Sequence, residues 1–341
     1  MNFNKVFIIA EAGVNHNGDL NKALSLIEVA AKAEADYIKF QTFIPHKIAS
    51  PKAKKAKYQI DENEDDDDQI QMLRNLEIKK SWYPKLINHC YDNNIKFLST
   101  AFDLDSLKFL RKLGLQIFKI PSGEITNKSY LQEVGSYNKK IFLSTGMSNI
   151  DDIKLALDVI IESGTQKKKI TVLHCNTEYP TPYEDVNLNA MNHISSEFNV
   201  DIGYSDHTMG IEVALAAVAM GAKVIEKHFT IDRNLPGPDH SASLEPNELF
   251  QMVRSIRRVE KSLSGNGIKS PSRSEKMNIV NIRKSLHYSS LLKKGHIIDF
   301  NDLISLRPGD GLSPMSIQKI IGLRLKLDVK ENQKLDSNHF E

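Results

Sequence analysis

The stretch Lys223–His240, KVIEKHFTIDRNLPGPDH, begins as a short apolar run and ends in a loop dense with Asp, His, Pro and Gly. That is how a buried strand feeding a functional loop reads. Side chains on an extended strand alternate between faces, so Glu226 and His228 share one face and Lys227 takes the other. A carboxylate and an imidazole at the end of a buried strand are costly to desolvate unless they bind a metal or hydrogen-bond a polar ligand. One such pair is equally consistent with a satisfied core histidine beside an ion pair. A second stretch, DIGYSDHT at 201–208, repeats the i, i+2 arrangement with Ser205 and His207, and the repetition favours chemistry.

The elements that must position these residues alternate along the chain. Apolar, β-branched runs at Val6–Ala10, Tyr37–Phe40, Ile95–Ser99, Ile117–Ile120, Ile141–Ser144, Ile170–His174, Val200–Gly203 and Lys223–Lys227 read as eight strands. Between them, helical spacing recurs at 20–35, 81–93, 105–113, 128–137, 150–163, 187–198, 211–220 and 246–263. Strands alternating with helices imply parallel βαβ units, and eight of them close into a (β/α)8 TIM barrel. A doubly wound open sheet is the alternative, but EAGVNHNG after the first strand lacks its GxGxxG turn.

A barrel places its chemistry at the C-terminal ends of its strands. There the sequence offers Glu11, then Lys39 and Gln41, Thr100, Lys119 with Ser122, Ser144 with Thr145, Asn176 with Thr177 and Tyr179, Ser205 with His207, and Glu226 with His228. A single Ser or Thr after a strand usually caps the next helix. The same feature at eight ends is not explained that way. Two chemistries emerge. His207 and His228, on neighbouring strands, can each offer a nitrogen to one divalent cation, with Glu11 supplying a carboxylate or orienting a water. Lys119, Ser122, Ser144, Thr145 and Ser205 can offer an ammonium, hydroxyls and backbone N–H groups to a phosphate.

Composition narrows the classes. In 341 residues, 45 basic against 43 acidic leave a formal charge of +2, which points to neither nucleic acid nor a membrane. The adjacent basic run 52–57 and acidic run 61–68 read as a solvated loop. Two cysteines, Cys90 and Cys175, are too few for a disulfide framework, so a cytoplasmic location is expected. No segment reaches the roughly 18 apolar residues of a membrane span, and no Walker pattern is present.

The motifs IAEAGVNHNGD (9–19), KFQT (39–42), FLSTAFD (97–103), FKIPSGE (118–124), LSTGM (143–147), HCNTEYPTP (174–182), GYSDHT (203–208), EKHFT (226–230) and PGPDHSASLEP (236–246) resemble the sialic acid synthase family. The tail resembles that family's small C-terminal antifreeze-like (SAF) domain, through RKSL (283–286), LLKKGHII (291–298), LRPGDGLSP (306–314) and KIIGLRL (319–325). The resemblance implies a catalytic barrel over 1–263 and an SAF domain at 281–341; between them Ser264–Lys276, rich in Ser, Gly and Lys, reads as a linker, at 264–280. It implies condensation of phosphoenolpyruvate with an N-acetylmannosamine-type sugar and water, giving a nine-carbon 2-keto sugar acid of the N-acetylneuraminate or legionaminate type, and phosphate. By the same analogy His207 and His228 hold Mn2+ or Mg2+, and Glu11 is the acid/base or water-orienting carboxylate. Thr100, Lys119, Ser122, Ser144, Thr177 and Ser205 hold phosphoenolpyruvate; Gln41, Tyr179, Glu226 and Asp239 contact the sugar.

Arg307 lies outside the barrel, in a Pro-Gly turn that composition alone would leave on the surface. The resemblance implies a domain-swapped homodimer in which this Arg enters the partner's barrel mouth. Thr177 and Arg283 depart from some members, which carry Asn and an aromatic residue there. Two other classes fit parts of the pattern. Another metal-dependent TIM-barrel aldolase or hydrolase would use the same histidines without phosphoenolpyruvate, and a binding module would need none of the polar strand ends.

Overall fold

Eight parallel strands, ordered β1 to β8, close into a barrel in the computed structural model, which describes residues 5–50, 53, 55 and 68–341. Apart from Ala53, Lys55 and Asp68, the runs 52–57 and 61–68 lie outside the described residues. The strands are β1 (Phe7–Gly13), β2 (Tyr37–Thr42), β3 (Lys96–Ala101), β4 (Ile117–Ile120), β5 (Lys140–Ser144), β6 (Ile170–His174), β7 (Asp201–Asp206) and β8 (Val224–His228). Helix α1 (Leu20–Lys32) follows β1, and two short helices, α2 (Pro45–Ile48) and α3 (Gln69–Leu76), precede α4 (Tyr83–Asp92). The remaining connections are α5 (Leu104–Lys112), α6 (Lys128–Ser136), α7 (Ile150–Glu162), α8 (Asn189–Phe198), α9 (Glu212–Ala219) and α10 (Pro246–Ser262). The expected eight-fold alternation is therefore the one observed, and the open sheet is excluded by the β1–β8 pairing.

Local sequence explains the helix starts. Asp19 caps α1 by accepting from the N–H groups of Asn21 and Lys22, and Asn149 and Asp152 form a reciprocal capping box on α7. Ala23, Leu26, Ile27 and Ala30, at helical spacing, bury one face of α1 in the layer between strands and helices.

Inside the barrel a second apolar layer is built from Ile9, Leu98, Ile117, Phe142, Leu173 and Val224. Two residues on, on the same inward face, stand Glu11, Thr100, Lys119, Ser144, Cys175 and Glu226. The period-2 geometry of the strands thus carries the chain from a greasy plug to a polar floor in one step. Five strands run past the boundaries that the apolar runs suggest: β1 to Gly13, β2 to Thr42, β3 to Ala101, β7 to Asp206 and β8 to His228. Ladder pairing continues through inward polar residues, so Glu11, Gln41, Thr100 and Ser205 lie within strands. Their registers link Glu11 to Lys39 and His228, Gln41 to Thr100, Thr100 to Lys119, and Ser205 to Glu226.

Lys227, on the opposite face of β8, is fully buried and donates to Asp206 Oδ2 at 2.8 Å and to the Thr208 carbonyl at 2.6 Å. The alternation expected around Glu226 and His228 is observed, with the outward lysine serving as a buried tie between β7 and β8.

The chain divides into two compact units, residues 1–264 and 265–341. The second holds an antiparallel pair, β9 (Ser285–Tyr288) and β10 (Leu303–Leu306), over a small core of Leu286, Tyr288, Ile298, Leu325, Val329 and Leu335. Part of the segment read as linker is helical. Helix α11 (Arg273–Ile282) starts at a Ser272–Glu275 capping box, a local signal that outweighs the surrounding Ser and Gly. Among the described residues no helix is long and apolar enough to cross a membrane.

Candidate functional site

At the C-terminal ends of the strands lies a cavity of about 460 Å³. Its lining includes Glu11, Gln41, Thr100, Lys119, Ser122, Ser144, Thr177, Tyr179, Ser205, Glu226, His207 and His228, together with Lys39 and Glu178. Twelve of the fourteen residues to which the family resemblance gives a role are thus brought together, whereas Thr145 is not in the lining and its Oγ1 donates to the Leu173 carbonyl at 3.0 Å. Asp239 stands behind the lining, its Oδ2 3.8 Å from His228 Nδ1. Arg307 is not among them. It belongs to the second unit, where its Nε donates to the Ile282 carbonyl at 3.0 Å.

The floor is a charge network. Lys39 donates to Thr100 Oγ1 at 2.7 Å and sits 2.8 Å from Glu11 Oε2 and 3.6 Å from Glu226 Oε2. Lys119 donates to Glu226 Oε1 at 3.0 Å, and Ser205 Oγ donates to the same oxygen at 3.0 Å. Both Oε2 atoms are buried and within ion-pair range of Lys39, yet neither has a hydrogen bond of good geometry among the described residues. Burial pushes Glu11 up to about 7, with the neighbouring Glu226 charge adding to it and Lys39 opposing. Burial would raise Glu226 as well, but Lys119 and Lys39 outweigh it and hold that carboxyl at about 2. Two adjacent carboxylates are thereby driven apart, one firmly ionised and one poised near neutrality.

The sequence puts Lys39 at a strand end and gives it no role, whereas the structure makes it the hub between Glu11 and Glu226. The signal was there in KFQT: Lys39 and Gln41 share the inward face by period-2 spacing. Beside the network, Ser144 Oγ is buried without a hydrogen-bond partner among the described residues, and Ser122 Oγ accepts from the Gly146 N–H at 2.9 Å. A β-carbon on Gly146 would come within 2.6 Å of Thr177 Cγ2 and 2.9 Å of Ser122 Oγ, so the close approach of these loops requires glycine.

On the other side, the rings of His207 and His228 lie 5.6 Å apart between centroids. His207 Nδ1 donates to the Asn176 carbonyl, which leaves the Nε2 lone pair facing the Tyr179 hydroxyl at 3.0 Å. Tyr179 also stacks on the His207 ring at 4.1 Å. Burial lowers His207 to about 4 and His228 well below its usual range, the neighbouring His207 adding to the effect on His228. Both imidazoles are therefore neutral at pH 7. His228 Nδ1 is buried without a hydrogen bond among the described residues. Gly13, at φ +52°, makes room for this ring: a β-carbon there would meet His228 Cε1 at 3.2 Å and Asp239 Oδ2 at 3.4 Å. Burial raises Asp239 to about 6.

Two neutral, inward imidazoles with one orphaned nitrogen suit a divalent cation. No group of three or more His, Cys, Asp or Glu residues converges as a metal cage among the described residues. The donor set therefore fits a cation whose remaining ligands are water and substrate oxygens, an open arrangement of catalytic rather than structural type.

A family model described as the NeuB family matches residues 26–269. Among curated relatives, the N,N'-diacetyllegionaminic acid synthase of Campylobacter jejuni is 51% identical over 329 residues, covering 96% of this chain and 98% of that protein. The synthase of the same name from Legionella pneumophila is 43% identical over 337 residues, covering 98% and 94%. Among solved structures, the N-acetylneuraminic acid synthetase of Leptospira borgpetersenii, in complex with citrate, superposes with a TM-score of 0.71 at 37% identity, covering 81% of this chain and 90% of that one.

Proposed function

The chain belongs to the NeuB family, and from that premise we propose that it condenses phosphoenolpyruvate with an N-acetylated mannose-type sugar and water, yielding a nine-carbon 2-keto sugar acid and phosphate. The observation that carries this reading is the convergence, in one cavity, of Lys119 and the Ser122, Ser144 and Ser205 hydroxyls on one side and two neutral imidazoles on the other. The first group suits an enol phosphate and the second an aldehyde-activating cation. Because the two relatives above carry the name N,N'-diacetyllegionaminic acid synthase, the acceptor we assign is 2,4-diacetamido-2,4,6-trideoxymannose, and the product is of the legionaminate type.

Lys119, Thr100, Ser122, Ser144, Thr177 and Ser205 hold phosphoenolpyruvate through charge-assisted and hydroxyl hydrogen bonds. The buried Ser144 Oγ, with no hydrogen-bond partner among the described residues, suits a phosphate oxygen best. Gln41, Tyr179, Glu226 and Asp239 are assigned to the sugar, Asp239 from behind the lining beside His228. A divalent cation such as Mn2+ or Mg2+, held by His207 and His228, supplies Lewis-acid polarisation of the aldehyde. The enol carbon then bonds to the aldehyde carbon, water adds at C2, and C–O cleavage releases phosphate. Glu11, poised near neutrality, takes the proton of that water and can return it to the new hydroxyl. Lys39 fixes Glu11 and balances its charge.

Incubating the protein with phosphoenolpyruvate, Mn2+ and each acceptor sugar in turn tests the reading. Phosphate release above a chelator control is the expected result, with the diacetamido sugar the better acceptor. Sugar cleavage or hydrolysis without phosphoenolpyruvate would instead support another metal-dependent barrel enzyme.

The second unit is read as an antifreeze-like domain that exchanges between protomers of a homodimer and carries Arg307 to the partner's barrel mouth. An always-charged, planar guanidinium suits a hydroxyl or acetamido oxygen. Arg307→Ala should raise the sugar KM by about tenfold with cation content unchanged. Unaltered sugar kinetics in that variant would remove Arg307 from the site.

A further inference from the structure

We propose that Glu178 selects the acceptor: its carboxylate takes the amide N–H of a second acetamido group on the sugar, where N-acetylmannosamine carries a hydroxyl. The inference rests on the synthase reading. Among the described residues three carboxylates line the cavity. Glu11 and Glu226 are buried and committed to Lys39 and Lys119. Glu178 differs from both, because it is exposed at the rim and its carboxylate has no partner among the described residues.

Its main chain, by contrast, is held at both ends. The Glu178 N–H donates to Asn176 Oδ1 at 2.7 Å, and its carbonyl accepts from Thr181 Oγ1 at 2.8 Å. Thr181 is tied in turn to the His207 carbonyl by its backbone N–H at 2.9 Å, and Tyr179, the next residue, hydrogen-bonds His207. A fixed frame therefore presents an uncommitted anionic acceptor beside the residues that orient the imidazole.

The chemistry of the reactants decides what it accepts. Phosphoenolpyruvate is itself an anion, so a rim carboxylate repels it and gains nothing from holding it. The sugar is neutral, and its donors are hydroxyls and amide N–H groups. A carboxylate only accepts. A hydroxyl can rotate its proton toward a neighbouring oxygen or water, whereas a planar secondary amide has one donor in a fixed direction. The pairing thus favours the acetamido sugar over its hydroxyl counterpart.

Glu178→Gln and Glu178→Ala in the full-length protein test this, with phosphate release measured for both sugars in the presence of phosphoenolpyruvate and Mn2+. The ratio of kcat/KM for the diacetamido sugar to that for N-acetylmannosamine should fall about tenfold in the Ala variant and less in the Gln variant, through the sugar KM, with the phosphoenolpyruvate KM within about twofold of wild type. An unchanged ratio, an equal loss with both sugars, or a wild-type preference for N-acetylmannosamine overturns the assignment. Absence of phosphate release by the wild type with either sugar rejects the synthase reading itself, which is a different failure.

Discussion

Glu11→Gln is expected to lower kcat by roughly 10³-fold, within the span that a positioned acid/base group contributes, while leaving phosphoenolpyruvate binding nearly intact. Gln keeps the size of the side chain and can still hydrogen-bond, so the loss isolates proton transfer from packing. Lys39 retains a counter-charge in Glu226, 3.6 Å away. The pH profile supplies a second readout. Glu11 titrates near 7 because burial disfavours its charged form. Below that pH it is protonated and cannot take the proton of the attacking water; as pH rises through about 7 it ionises, so wild-type kcat/KM should rise across that interval and then level off. Glu226, held at about 2, stays ionised throughout and adds no limb. A Gln variant within about fivefold of wild type, or a wild-type profile that falls through pH 7, would contradict the assignment of Glu11 as the base.

The barrel was legible because its two periods are physically distinct. Apolar runs of four or five residues alternate with segments whose apolar positions recur every three to four, and only βαβ units satisfy both. What the runs concealed was where strands end. Hydrophobicity stops at Ala10, Phe40, Ser99 and Gly203, but β1, β2, β3 and β7 continue to Gly13, Thr42, Ala101 and Asp206. Backbone pairing does not depend on the side chain, and inward polar groups that find one another lose the penalty of burial. For the same reason the site was legible residue by residue but not as a network. Period-2 spacing places Glu226 beside His228 and Ser205 near His207; nothing in the local sequence says that Lys39 and Lys119, from different strands, both reach Glu226. That contact depends on the register of a closed barrel, which joins residues 107 apart in the chain.

The two glycines of the site show how the same motifs serve packing and chemistry together. Gly13 and Gly146 sit where a β-carbon would crowd the His228 ring, or overlap Thr177 and Ser122. Each lets a loop approach a functional side chain without displacing it. In α11 the opposite occurred: a linker-like composition hid a helix, because one capping box suffices to start what the preceding residues discourage.

His207→Ala and His228→Ala should each abolish turnover, to below roughly one thousandth of wild type, and each should remove divalent-cation binding. Two protein donors act as a unit, so the double variant is expected to be no worse than either single one. The reason lies in the donor count. With no third protein ligand converging among the described residues, loss of one imidazole leaves a single nitrogen, and a cation held by one neutral donor and water gains little over the solvated ion. Folding should survive. Both rings are neutral at pH 7 and neither carries a buried charge that truncation would strand, although His207→Ala also releases the Asn176 carbonyl and the Tyr179 hydroxyl. Electron paramagnetic resonance of Mn2+, read alongside thermal unfolding, separates the outcomes: a cooperative melt with free-ion spectra is the expected result. Retention of Mn2+ affinity within about threefold of wild type by either single variant would place the cation elsewhere, since a site built on two nitrogens cannot tolerate losing one.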